Sequence, residues 1–473
     1  MTPLPPKPVA RAARVSLWRH LKLFRADILS AQPARLYRAW MAEFRTPFFR
    51  SVLVNDPALL RLVLRKRPGD FPKSGRIGAG LRPLLGASVF LTNGATWKRQ
   101  RRIIDPAFEG GRLKDSFAAM RAAADAAVAR LAPLAGGAPV EIEPQASHAA
   151  ADVIFRTLFS IPIEHDTAAA TYRAFHAHQR SQPLLNLAAF VRGPRWMPRL
   201  HSRETRATAR RIRGLIADLV ARRAAAIADG SAPPDLATRI MTTPDPESGA
   251  CFSPEEMVDQ VAIFFLAGHE TSASSLGWTL YLLATHPEIQ ARAAAEALAF
   301  SGDFSGLSGL KLIRDCTREA LRLYPPVPMM VRETVAPERF RDRGLPRRTQ
   351  VVLSPWHLHR HERFWDAPDA FDPDRWSREE GRASARRAYM PFSAGPRVCP
   401  GAGFAMAEAA VLLAALLARY RFAPVEGDVP VPVAHLTVRS KNGIRLRVTP
   451  REQLKSCKIS GANSCKNSIR AGV

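Results

Sequence analysis

One stretch, Ser253 to Thr285, limits what this chain can fold into more than any other. Ser253 is a favourable N-cap, Pro254 suits the first helical position and Glu256 completes a capping box, so the spacing predicts a helix. At about 1.5 Å per residue such a helix runs about 50 Å, enough to cross a whole molecule. The remaining elements must pack around it. It does not read as a membrane span, because the uninterrupted apolar run from Val261 stops at His269-Glu270, short of the roughly 20 apolar residues a bilayer needs. Inside it lies Ala267-Gly268-His269-Glu270-Thr271. Glycine in mid-helix costs about 1 kcal/mol against alanine, so a glycine beside polar residues there points to a functional role.

A second stretch carries the chemistry. Pro391-Phe392-Ser393-Ala394-Gly395-Pro396-Arg397-Val398-Cys399-Pro400-Gly401 holds one cysteine in a loop, and the apolar run Phe404 to Leu417 behind it reads as a helix. A thiolate at a helix N-terminus beside Arg397 is expected to stay ionised and to act as a nucleophile or a metal ligand. A zinc site needs three or four ligands and no second cysteine lies nearby. A single thiolate suffices where the metal already has four ligands, as haem iron does.

The pattern Phe392-x-x-Gly395-x-Arg397-x-Cys399-x-Gly401 resembles the haem-thiolate signature of the cytochrome P-450 monooxygenases, here a soluble bacterial-type member. The resemblance implies a mainly α fold with a small β-rich lobe, a triangular helical body with a long central distal helix, and haem b held between that helix and the thiolate loop. Cys399 is then the axial iron ligand, with Phe392, Arg397 and Gly401 shaping its loop. Ala267, Gly268, Glu270 and Thr271 match the motif over the distal face: the glycine leaves room for O2, Thr271 hydrogen-bonds the activated oxygen and Glu270 relays protons. Trp97 and Arg101, four apart on one helix face, and Arg332 match propionate-binding positions. Glu319 and Arg322, followed by the Pro325-Pro326 stop, match a buried clamp that Arg375 of Pro373-Asp374-Arg375-Trp376 completes. Phe264, Val327, Met329, Met330 and Leu436 are the expected substrate-pocket residues. Matches run in order from Trp97 to Gly401, and the catalytic domain is read as 35–452, with a basic arm at 1–34 and a tail at 453–473 expected to be disordered.

Between these motifs, a strand is expected over Phe48–Val54, a helix over Pro57–Arg65 opened by Asp56, and a Gly/Pro-rich loop over Arg67–Gly86 that would serve as a mobile gate or a plain connector. Helices are expected at about 114–133, 147–160, 166–180, 202–229 and 308–324. Strands are expected over Val327–Thr334 and Thr349–Ser354, and closing hairpins over Asp428–Arg451 with His435 and Leu436 at a tip. His357, His359 and His361 would share one face if their segment were a strand, yet no cysteine or carboxylate completes a site.

Charge and composition bear on partners. The formal charge is +27, of which residues 1–50 and 451–473 carry +12. No nucleic-acid motif accompanies it, which leaves an acidic protein partner or a weak membrane-surface contact by the arms. Five cysteines, odd in number and widely spaced, argue against a disulfide framework. With no signal-like or anchoring apolar segment near Met1, a cytoplasmic monomer is the expectation. Gly78 and Gly80 lead to Pro83 where a dinucleotide fingerprint needs a third glycine, so no built-in flavin or NAD site is expected. Electrons would come from a ferredoxin and its reductase, docking on a basic face that includes Arg101 or Arg102, Arg386 and Arg387. The expected substrate is a lipophilic terpenoid, steroid, carotenoid or fatty acid, hydroxylated or epoxidised. The alternatives are a peroxide-driven peroxygenase, which would dispense with Glu270-Thr271, and a non-catalytic haem-binding sensor or electron carrier.

Overall fold

Ser253 and Glu256 close their capping box, and Pro254–Thr285 is one unbroken helix in the computed structural model, which describes residues 3–12, 15–45, 50–109, 111–181, 203–434 and 436–451. From Ser274 to Ala284 every residue of this central helix is buried. Only a helix surrounded on all sides shows that pattern. Around it pack the helices Ile142–Phe159, Arg203–Ala228, Lys311–Leu323 and Ala402–Arg419. Two helical cores result, one on Leu276–Ala284 with Val411–Leu417, the other on Met257–Leu266 with Ile154–Phe159.

The helix Ala402–Arg419, which follows the cysteine loop, is apolar and long enough to cross a membrane, but just over half of it (56%) is buried inside the protein. It is a core helix, packed against Arg112–Leu131 as well as the central helix.

The smaller lobe is a four-stranded sheet in the order Met41–Arg45, Arg50–Val54, Gln350–Leu353, Met330–Glu333. The middle pair is parallel, with Val52 opposite Val351, and the outer pairs are antiparallel. Met41–Arg45 and the strand Pro139–Glu141 of a second, three-stranded sheet were not legible in the sequence, since short strands take their stability from neighbours. Asp56 does cap the helix Pro57–Arg61, accepting from the Ala58 N–H at 2.9 Å.

Two expectations change. The Gly/Pro-rich stretch Arg67–Gly86 is not a plain loop: Pro68–Asp70 forms a single turn and Gly75–Leu85 a helix that includes Pro83. Tertiary packing overrides the poor helix propensity there, because Gly78, Leu84 and Leu85 are buried and Arg213 bonds the Leu84 carbonyl. The helix stops at Gly86, whose φ of 51° suits glycine and whose missing side chain leaves room for the Asp259 carboxylate of the central helix. The histidine run is no strand either. Pro355–Leu358 is a helical turn, so His357 bonds Ser354, His359 accepts from the Met390 N–H and His361 approaches the Ala39 carbonyl, each in a different direction.

The N-terminal arm makes specific contacts: the Tyr324 hydroxyl donates to the Pro6 carbonyl at 2.7 Å, and Lys7 pairs with Asp369. His435, Cys457, Cys465 and the rest of the tail lie outside the described residues.

Candidate active site

The cysteine loop is shaped by close backbone contact. Gly395 has φ of 70°, and a Cβ there would lie 2.0 Å from the Leu64 carbonyl oxygen, so no other residue fits. The Cys399 N–H donates to the Phe392 carbonyl at 2.9 Å, and a Cβ on Gly401 would stand 4.0 Å from Cys399 Sγ. The cysteine sits three residues before the helix Ala402–Arg419, and it is exposed.

Its electrostatics correct the sequence reading. Surrounding protein pushes the Cys399 thiol above its ordinary pKa by burial, against the opposing pull of the Gly401 N–H and Arg101. The free thiol is therefore not held ionised by its loop; binding a metal would be what deprotonates it. Arg397 contributes little because it turns away, stacking 5.2 Å over Trp97 and donating to the Pro68 carbonyl at 2.7 Å. Arg101 reaches the loop from its own helix, donating to the Val398 carbonyl at 2.7 Å.

Trp97 is the hub of a cationic cluster. Arg101, Arg397 and Lys73 lie over its ring at 5.9, 5.2 and 5.6 Å, and the Lys73 backbone pairs with that of buried Arg332. Burial, then Arg332, Arg397 and Arg101, push the Lys73 ammonium down to about 7, and burial with Arg397 pushes Arg332 down to about 10. Asp105, paired with Arg101 at 2.6 Å, is the carboxylate that answers them. The Nε atoms of Arg332 and Arg397 are buried without a partner among the described residues. Lys73, Arg101 and Arg397 over one tryptophan, with Arg332 bridged to Lys73, fit a ligand with at least two negative charges, which would satisfy the buried Nε donors of Arg332 and Arg397. Lys73 escaped the sequence reading because it carries no motif and lies in a stretch that reads as loop.

On the central helix, Thr271 Oγ1 donates back to the Ala267 carbonyl at 2.6 Å, and Ala267 itself is exposed although its neighbours Phe265 and Leu266 are buried. Glu270 is buried and faces the C-terminal hairpin, accepting from Thr437 at 3.2 Å and pairing with Arg439 at 3.3 Å. Arg439 is 41% exposed, so this carboxylate is wired toward solvent. His269 points behind the helix to Ser147 Oγ at 2.7 Å, and burial with His176 pushes it down to about 3, so it is neutral. Gly268 has a packing reason beyond the room it leaves: a Cβ there would stand 2.4 Å from Ile154 Cδ1. Gly268→Ala is accordingly expected to cost about 1–3 kcal/mol of overpacking in denaturant unfolding. Adding Ile154→Ala should recover part of that loss, because it removes the colliding atom.

Glu319 and Arg322 are fully buried, and Glu319 Oε1 lies 2.8 Å from both Arg322 and Arg375. Arg322 also donates to the His359 carbonyl at 2.9 Å, while His359 Nε2 accepts from the Met390 N–H, one residue before the cysteine loop. The clamp thus reaches the loop through His359. Of the expected pocket residues, Phe264 stands edge-on to Phe108 at 6.0 Å, Met329 packs on the helical core, Met330 packs on the sheet core, Val327 is half-buried and Leu436 is 44% exposed.

Comparison with known proteins agrees with this arrangement. The family model described as Cytochrome P450 matches residues 39–448. Cytochrome P450 4A11 of Homo sapiens is 30% identical over 425 residues, 84% of this chain and 79% of that protein. Cyclooctat-9-en-7-ol 5-monooxygenase of Streptomyces melanosporofaciens is 31% identical over 422 residues, 87% of each. The crystal structure of the cytochrome P450DA heme domain superposes with a TM-score of 0.78 at 26% identity, covering 95% of this chain and 98% of that one. With a thiol open at the head of its helix, a cationic cluster beside it and the family pattern running through nearly the whole chain, this protein is a member of the cytochrome P450 superfamily and a haem-dependent monooxygenase.

Proposed function

We propose that the chain binds haem b with Cys399 as the axial ligand, takes electrons from a separate ferredoxin and its reductase, and hydroxylates or epoxidises a lipophilic terpenoid, steroid, carotenoid or fatty acid. The observation that carries this reading is the Cys399 thiol standing open beside a cluster of under-neutralised cations. Lys73, Arg101, Arg332 and Arg397 would hold the two propionates, with the Trp97 indole N–H as a further donor. Bound there, the haem would supply activation of O2. The chain's own part is to position and to move protons: Glu270, tied to half-exposed Arg439, would pass protons toward Thr271. The relative named for a 5-monooxygenase acting on cyclooctat-9-en-7-ol, an unsaturated alcohol, supports a lipophilic substrate. The reading includes a cytoplasmic monomer, in keeping with the three described cysteines, Cys251, Cys316 and Cys399, all being unpaired.

The proposed docking face comprises Arg101 or Arg102, Arg386 and Arg387. Arg101 is engaged with Asp105 and the Val398 carbonyl, and Arg102 with Asp245 and Glu247. Both are taken. Arg386 and Arg387 remain exposed on the helix Glu379–Ala388 that runs into the cysteine loop, Arg386 with Glu379 at 2.7 Å. The test is turnover of a panel of those four lipid classes with ferredoxin and reductase, set against hydrogen peroxide alone. Turnover dependent on ferredoxin, reduced at least several-fold by Arg386→Glu with Arg387→Glu mainly through slower partner association, is the expected result. Equal turnover with peroxide would favour a peroxygenase, and spectral binding without any turnover would favour a sensor.

A further inference from the structure

Glu408 lies in the second turn of the helix that begins after Cys399, and it is 1% exposed. A carboxyl so placed must either find a cation or give up its charge, since an isolated buried charge is far costlier than a neutral acid. It finds no cation. Ser272 of the central helix donates to Glu408 Oε2 at 2.7 Å, and Oε1 is buried with no hydrogen-bond partner. Besides the central helix, the elements packed on the Glu408 helix are Arg112–Leu131, Pro287–Leu298, Lys311–Leu323, the turn Ser305–Gly309 and the strand Tyr420–Pro424. No charged or titratable side chain of any of these contributes to the protonation of Glu408: burial pushes it up to about 8, and the Ser272 bond pulls the other way. Glu270, the other acid of this region, is engaged instead with Thr437 and Arg439.

The bond joins the two helices on which the proposed chemistry depends. Ser272 is the next residue after Thr271, and the Glu408 helix is the one headed by Cys399. We propose that Glu408, as the neutral acid, is a positioning residue that fixes Thr271 relative to Cys399 by holding Ser272. The positional meaning of the bond rests on the haem-thiolate reading, whereas the bond and its proton do not.

The sign of the pH dependence follows from the raised pKa. The folded chain binds a proton that the unfolded chain has released above the ordinary glutamate range, so this contribution to stability is complete at low pH and is lost as pH rises through about 8. The holoprotein, Glu408→Gln and Ser272→Ala are compared from pH 6 to 9.5 by denaturant unfolding midpoint and by the carbon monoxide complex of the reduced haem. Wild type is expected to lose unfolding midpoint steadily as pH rises toward 8 and to level off above it, and to lose the thiolate-type Soret band around pH 8. Glu408→Gln, uncharged and still able to accept from Ser272, should keep the wild-type Soret band at pH 7, unfold there at a midpoint no lower than wild type and stay flat through pH 9. Ser272→Ala should fold, keep the Soret band at pH 7 and shift the carbon monoxide stretching frequency, which reports on the distal side. An alkaline loss that persists in Glu408→Gln, a Glu408→Gln protein already impaired at pH 7, or an unchanged stretching frequency in Ser272→Ala would each overturn the proposal. Failure of the haem-thiolate reading would look different: no thiolate-type band at any pH, with the alkaline loss of unfolding midpoint intact.

Discussion

Cys399→Ser is expected to abolish the strongly red-shifted Soret band that the dithionite-reduced protein gives with carbon monoxide, and to reduce monooxygenase turnover to background. The reasoning starts from the free thiol. Its pKa is raised by burial, and Arg397, which the sequence placed as its activator, is committed to Trp97 and the Pro68 carbonyl. A side chain that its own surroundings do not ionise is a poor standing nucleophile, but it becomes a strong ligand once a metal displaces the proton. Serine keeps the shape of the site but replaces sulfur with a far more weakly electron-donating oxygen, and it is sulfur that favours O–O cleavage. Optical spectra of the wild type and the variant, at matched protein concentration, decide the matter. A band unchanged in the variant, or a wild-type band typical of a histidine ligand, would remove Cys399 from the iron.

The second large effect is expected at Glu319→Ala. This substitution leaves Arg322, fully buried, and Arg375, 5% exposed, without their shared carboxylate. Arg322 keeps the carbonyls of His359, Pro368 and Ala370, and Arg375 keeps that of Asp366, so the donors are not all orphaned. The charge is nevertheless left uncompensated, and breaking a buried pair typically costs about 3–5 kcal/mol. Against a total stability of about 5–15 kcal/mol, that loss is enough to unfold a large share of a marginal protein. Because Arg322 reaches His359 and His359 holds Met390, haem retention should fall along with the denaturant midpoint. Arg292→Ala is the control. Its pair with Asp374 is as short, at 2.8 Å, but about half exposed on both sides, and should cost less than about 1 kcal/mol. Equal losses in the two variants would show that the clamp is an ordinary ion pair.

How far the sequence carried depended on how local each feature was. The capping box at Ser253 and Glu256, the cap at Asp56 and the pairing of Glu319 with Arg322 all rest on residues two or three apart, and the structure reproduces each. Arg375 joins Glu319 across 56 positions, legible because the pattern around it is itself local and resembles a family's. Where propensity and packing disagreed, propensity failed: glycines and Pro83 read as loop, yet burial of Leu84 and Leu85 makes Gly75–Leu85 a helix. The histidines at 357, 359 and 361 show the converse, an alternation that would matter only in a strand and that a single helical turn disperses.

By itself, then, the sequence determined the long central helix, the cysteine loop with its glycines and the family to which they belong, because each is written in short spacings that backbone geometry converts directly into structure. Tertiary structure alone decided which charges meet. Lys73 bridges to Arg332 and lies with Arg397 over Trp97, Glu270 meets Thr437 and Arg439, and among the described residues Glu408 finds Ser272 but no cation. These partners are separated by tens to hundreds of residues, and no local spacing encodes them. Their protonation and pairing depend on burial and on the sum of neighbouring charges, which exist only once the chain has packed.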